Sequence, residues 1–149
     1  MDALDADTAT ISVTTGSGTF EVNAADVIGF PHGLPGFERC RHFVLVSSDE
    51  IAPLQCLHAV DGPPASFVAI DPRLVLPDYR CVLRDADRLR LGAGENTPLV
   101  WLTLVALDAE GGASVDLRAP VVINPERMTG YQLVPHDSLY PLRHPLTLD

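Results

Sequence analysis

The chain has 149 residues, 46% hydrophobic and 20% charged, the usage of one globular domain with its own core rather than of a disordered or multidomain chain. Twenty acids face ten bases, every base is Arg, and the net charge is −10. Without Lys there is no Schiff-base amine for pyridoxal phosphate and no P-loop lysine, and an acidic surface disfavours nucleic acid and anionic membranes while favouring a basic protein partner.

Residues 1–10 carry Asp2, Asp5 and Asp7 and are expected to be a loose acidic tail ahead of a single domain over 11–149. They lack a basic n-region and an apolar h-region, so no signal peptide is expected. Ile11 to Thr14 alternates as a strand, Gly16-Ser17-Gly18 turns the chain, and Phe20 to Val22 alternates again, together a hairpin. Asp26 to Phe30 continues the alternation. Pro31 to Glu38 holds two Pro and two Gly in six positions and must be a fixed loop. Its apolar residues, Leu34 and Phe37, either plug the core or face a partner.

Phe43 to Val46 is apolar on both faces, as a covered strand is, and Phe67 to Ile70 repeats this. Asp71-Pro72 and Pro77-Asp78 bracket a short segment, Arg73 to Leu76. Tyr79 to Arg84 is a strand candidate. Asp85 to Leu91 is the one expected helix, with Asp85 as N-cap and Gly92 ending it. Leu99 to Leu107, with Trp101, is the best central strand. Gly111-Gly112 is a turn, and Ser114 to Arg118, Pro120 to Asn124 and Tyr131 to Val134 complete the pattern. About nine to eleven short strands and one short helix predict an all-β, mainly antiparallel domain, a small barrel or a sandwich.

Candidate chemistry is thin. Cys40-Arg-His42 and Cys56-Leu-His58 are two Cys-x-His pairs that adjacent strands could offer to zinc, although that spacing is not a usual ligand spacing. Asp71, Asp78, Asp85 and Asp87 could form acid–base pairs, but Asp before Pro initiates turns and Asp at a helix start caps it. No nucleophile elbow, dinucleotide fingerprint or zinc-protease motif is present in the sequence. The chain therefore reads as a binding protein and not an enzyme, with no cofactor expected. Three Cys cannot make a disulfide framework and suit a reduced, cytoplasmic setting. The longest apolar run, Pro98 to Leu107, is about half of the roughly 20 residues a membrane helix needs.

Four stretches carry a resemblance. Ile28-Gly-Phe30-Pro-His-Gly33-Leu-Pro35-Gly36-Phe37-Glu38 resembles the signature of the bacterial flagellar assembly factor family FliW. Ala65-Ser-Phe67-Val-Ala-Ile70-Asp71-Pro72 with Pro77-Asp78-Tyr79 is similar to its central motif. Leu117-Arg-Ala119-Pro120-Val-Val-Ile123-Asn124 with Gly130-Tyr-Gln132 is similar to its late motif, and Ser138-Leu-Tyr140-Pro-Leu-Arg143-His144-Pro145-Leu146 to its ending. Arg73 to Leu76 stands where the family usually has aromatic residues, and His58-Ala59 near a usual Gln-Ser pair. The two Cys-x-His pairs are not part of the family pattern.

The resemblance implies a small β-barrel-like fold without cofactor or catalysis. It implies a cytoplasmic protein that binds flagellin as a chaperone and also binds CsrA, a basic dimeric RNA-binding repressor of flagellin translation. Flagellin and CsrA would exchange on it, so that scarce flagellin frees the protein to antagonise CsrA. The expected partner surface is Leu34 and Phe37 on the first loop, Asp78 and Tyr79 after the Pro-framed segment, and Asn124. The free protein is expected to be a monomer. A β-scaffold hydrolase or a carbohydrate-binding module is the alternative, and would need convergent carboxylates or an exposed aromatic platform.

Overall fold

The computed structural model describes residues 10–15, 18–134 and 139–147, without the side chains of residues 14 and 15. The proposed acidic tail up to residue 9, the Gly16-Ser17 part of the first turn, and Ser138 lie outside the described residues. Eleven strands are present among the described residues. They are β1 (Thr10–Thr15), β2 (Gly18–Asn23), β3 (Ile28–Gly29), β4 (His42–Ser47), β5 (Gln55–Ala59), β6 (Ser66–Ile70), β7 (Val100–Leu107), β8 (Ala113–Val115), β9 (Val121–Asn124), β10 (Thr129–Gln132) and β11 (His144–Pro145).

Seven of these close into a barrel. Going round, β7 pairs with β6, then β5, β4, β3, β10 and β9, and β9 returns to β7. Every pairing is antiparallel except β3 with β10, where Thr129 faces Gly29 in parallel. β7 makes closure possible because its length is shared. Val100 to Leu102 pair with β9 and Val105 to Leu107 with β8, on the edge opposite β6. Closure leaves only the short branch β8–β11 of this sheet with an open edge, and it decides between the barrel and the sandwich in favour of the barrel.

The interior follows from the period-2 pattern. Phe30, Phe43, Leu57, Ala69, Leu102, Val121 and Ile123 form one buried cluster. Val44 points the other way from Phe43 yet is also buried, so the outer face of β4 is covered. The β1–β2 hairpin supplies the cover. β1 packs on β5, and the ring of Phe20 meets His58 edge-on with centroids 5.5 Å apart. A second outer layer lies over β7, β9 and β10. There Leu83, Leu91 and Leu133 bury Val122, with Trp101 and Tyr131 partly enclosed.

Two expectations for this outer layer are corrected. Tyr79 to Arg84 is extended but is not a strand. Its alternation is real, with Tyr79 and Leu83 buried and Val82 outward. Its backbone, however, is not paired in a sheet: the Tyr79 N–H donates to the Leu76 carbonyl at 2.8 Å and the Arg80 N–H to the Tyr140 hydroxyl at 2.9 Å, while the Tyr79 hydroxyl donates to the Leu117 carbonyl at 2.8 Å. Among the described residues there are two α-helices rather than one, besides a 3-10 turn at Ala24–Asp26. The unforeseen α1 (Pro72–Val75) is a single turn capped by Asp71, whose carboxylate accepts from the Arg73 N–H at 2.9 Å, with Pro72 in the first turn.

The expected helix is α2 (Asp85–Leu91), and Gly92 ends it in the left-handed region at φ 65°. Its N-cap is Arg84 and not Asp85. The buried Asp87 does the capping, accepting from the Arg84 N–H at 3.0 Å.

Candidate partner-binding site

The first loop is braced by its own backbone. The N–H of Gly33 donates to the Phe30 carbonyl at 2.8 Å, Phe37 to Leu34 at 2.7 Å and Cys40 to Phe37 at 3.0 Å. Gly33 has φ 64°, and a Cβ there would stand 2.8 Å from the Glu38 Cα, so only glycine fits this turn. The Arg41 guanidinium closes the loop, donating to the carbonyls of Glu38 and Pro31 at 2.6 Å each. Glu38 accepts from the Gly36 N–H at 3.0 Å, and backbone N–H donors, Gly36 first, hold its carboxyl below the usual range.

This bracing gives the two apolar loop residues opposite fates. Leu34 is 1% exposed and belongs to the barrel core. Burial of a side chain of that size stabilises by roughly 1.5–3 kcal/mol. Phe37 is 44% exposed, and its ring stands edge-on against Phe67, with centroids 4.9 Å apart. Phe67 and Leu104 face the interior of the barrel near this end.

Together these residues open a groove of about 360 Å³, lined by Leu34, Phe37, Phe67, Leu104, Gln132 and Val134 among others. Its polar members are engaged inside the fold. Gln132 donates to the Ala119 carbonyl at 3.0 Å, and Asp116 accepts from the N–H groups of Arg118 and Ala119. The groove therefore offers an apolar wall with a partly exposed aromatic rim, which suits an apolar side chain of a protein partner. Phe67, Leu104 and Val134 also line this groove and were not singled out from the sequence; the signal that points to the first is its place in the central motif. The groove gathers residues from the first, central and late motif stretches into one place.

The other expected surface residues divide in the same way. Asp78 is exposed. Tyr79 is buried, donating to Leu117, and burial pushes its phenol well above the usual range. Asn124 is fully buried: its Nδ2 donates to the Leu91 carbonyl at 2.8 Å and its Oδ1 accepts from the Glu126 N–H at 3.0 Å. Leu34, Tyr79 and Asn124 thus present no side-chain surface and act on the loops they hold. Phe37 and Asp78 are the two that a partner can touch directly.

The two Cys-x-His pairs do not converge. Cys40 is buried, donates to the Pro63 carbonyl at 3.1 Å, and has its thiol pushed up by burial. His42 Nδ1 lies 2.7 Å from the Asp61 carboxylate, and His58 Nδ1 lies 2.7 Å from the Ser66 hydroxyl. Burial lowers the His58 pKa. In the β4–β5 register His58 faces Val44 and Cys56 faces Val46, so neither sits opposite His42. Among the described residues no three His, Cys, Asp or Glu side chains gather as a metal site.

Of the carboxylates considered for catalysis, Asp71 and Asp87 are spent locally. Asp71 caps α1 and pairs with Arg73 at 3.3 Å, and Asp87 caps α2. Trp101 is half-buried. Among the described residues no helix is long and apolar enough to cross a membrane.

Comparison with known proteins gives one answer. The family model described as FliW protein matches residues 11–146. The flagellar assembly factor FliW of Natranaerobius thermophilus is 37% identical over 134 residues, 89% of each chain. That of Desulfitobacterium hafniense is 36% identical over 135 residues, covering 89% of this chain and 88% of the other. A crystal structure of the flagellar assembly factor FliW superposes with a TM-score of 0.81 at 27% identity, covering 94% of this chain and 98% of that one.

Proposed function

This chain belongs to the FliW family of flagellar assembly factors, and from that premise we propose that it is a cytoplasmic, non-catalytic partner-switching protein, monomeric when free, that binds flagellin as a chaperone and CsrA as its antagonist. The observation that carries the reading is the groove at the barrel end, where three motif stretches supply one apolar wall beside the exposed ring of Phe37. We assign this groove to flagellin. Leu34, Tyr79 and Asn124 hold the loops around the site, while Phe37 makes contact.

The net charge of −10 supports the CsrA half of the reading. CsrA is basic, and Asp78 belongs to the acidic surface it would meet. Docked beside a basic RNA site, an acidic domain raises the cost of bringing in a phosphate chain. Scarce flagellin leaves the protein on CsrA and translation proceeds. Abundant flagellin takes it back and repression returns.

Calorimetric titration with CsrA and with flagellin, each at low and high salt, tests this. The expected result is binding to both, displacement of CsrA by flagellin, and a steeper loss with salt for CsrA. No heat with either partner from a folded protein would overturn the assignment. Salt-independent antagonism of CsrA would remove its electrostatic part.

A further inference from the structure

The outer edge of β8 is covered by residues 139–147, a strap that runs back along it. His144 stands opposite Val115 and Pro145 opposite Ser114, and the Leu146 N–H donates to the Ala113 carbonyl at 2.9 Å. Further along, the Leu117 N–H donates to the Pro141 carbonyl at 3.2 Å. Tyr140 pins the strap from the side. Its ring lies against that of Tyr79, with centroids 4.6 Å apart, and its hydroxyl accepts from the Arg80 N–H at 2.9 Å. Tyr140 and Leu146 pack on one buried cluster of Ile70, Tyr79, Val115 and Leu117.

The covered residues are far better buried than their cover. Leu117 is 0% exposed, whereas none of residues 139–147 is buried. Leu139 and Leu142 are 100% and 54% exposed. Two paired residues and three half-buried side chains among exposed neighbours mark a segment that opens locally while the barrel stays closed. The outer side of the strap is itself closed to pairing. Antiparallel bonding alternates inward and outward, and Leu146 bonds inward, so Pro145 turns outward a ring nitrogen with no N–H to give. At this point a further strand reaches β8 by replacing the strap, not by adding to it.

We propose that the β8 edge is a strand-addition site for an extended segment of a protein partner, and that the strap is its built-in stand-in. The seated strap shows the chemistry that fits. Tyr140 precedes Leu146 by six residues, an even spacing that puts both on one face of an extended chain, and Pro141 and Pro145 disfavour helix in between. A partner segment with an aromatic and an aliphatic side chain at that spacing takes the same cluster. The Ala113 carbonyl and the Leu117 N–H supply main-chain bonds, and the pocket between Tyr79 and Leu117 supplies selectivity. The site adjoins the groove assigned above without depending on it: Asp116 lines that groove, while Val115 and Leu117 on either side of it face the strap.

Two measurements on the full chain test this. Native-state hydrogen exchange should find the Leu117 and Leu146 amides exchanging at least about tenfold faster than those of β5 in the barrel wall. The second is fluorescence anisotropy of a labelled, blocked peptide with the sequence of residues 139–147. It should bind Tyr140→Ala saturably and the parent about tenfold more weakly or less, because the parent's own strap keeps the edge occupied. A counterpart peptide with Ala in place of its Tyr should bind Tyr140→Ala about tenfold more weakly. Strap amides that exchange as slowly as those of β5, no uptake of the peptide by folded Tyr140→Ala, or equal uptake of the Ala counterpart would overturn the proposal. So would a dimer of Tyr140→Ala in light scattering without peptide uptake, which would put a second copy on the edge instead.

Discussion

The ring of Phe30 lies on the backbone of Gly130. A Cβ at Gly130 would stand 2.6–2.7 Å from the ring's Cε atoms, so the two residues share one volume that only glycine leaves open. Phe30 begins the first loop and is fully buried; Gly130 is in β10, the strand that pairs with β3 and β9. The contact locks the root of the loop to the barrel wall.

Gly130→Ala should therefore be destabilising. The added methyl forces the ring or the strand to move, at about 1–3 kcal/mol for overpacking a filled core. Urea denaturation should show a lower midpoint with an unchanged slope. A midpoint equal to that of the parent would mean that the ring slides without cost and that the contact does not fix the loop.

Asn124 ties the end of α2 to the β9–β10 turn. Asn124→Ala removes the donor to the Leu91 carbonyl and the acceptor for the Glu126 N–H. A buried group left unpaired costs about 1–3 kcal/mol. Thermal unfolding should fall accordingly, with the far-ultraviolet spectrum of the folded protein retained. An unchanged melting temperature would show that water takes over both bonds.

The covered strands are legible in the sequence. β4, β6 and β7 read as strands because each is a short, nearly continuous apolar run rich in Val, Ile, Phe and Trp. β5 was harder to read, because its outward positions are Cys56 and His58, which look like chemistry until the hairpin covering them is seen. Tyr79 to Arg84 misled for the opposite reason: it alternates because it lies on a surface, not because it is paired in a sheet. The strand pattern left barrel and sandwich open, and only the family resemblance implied the barrel, since closure depends on β7 giving half its edge to β9 and half to β8, a non-local choice. Leu34 and Phe37 looked equivalent in the sequence. The turn at Gly33 sends one inward and one outward, and neighbouring composition carries no trace of that.

Asp61 gives a pH signature. Burial pushes its carboxyl up, but the hydrogen bonds from the His42 ring and from the N–H groups of His42 and Arg41 outweigh this, and the net value is below the ordinary 3.8. A carboxyl depressed by folding contributes stability that is present above its unfolded value and lost as pH falls through its folded value. The parent should thus be more stable than Asp61→Asn at neutral pH, and that gap should shrink below about pH 4. Melting temperatures across pH 2–7 check this. A gap that stays constant to the lowest pH would show that the charge plays no part.

The most direct test of the account concerns the barrel-end groove. Phe37 is not part of the buried core and has no backbone conformation that an L residue cannot adopt, so Phe37→Asp should still fold, with its melting temperature lowered only by the loss of the edge contact with Phe67, about 0.5–1.5 kcal/mol. Calorimetric titration of this variant with flagellin is the decisive measurement. The expected result is affinity weaker by about tenfold or more, as for truncation of an aromatic anchor in an interface, with CsrA binding retained. Parental affinity for flagellin in the folded variant would contradict it.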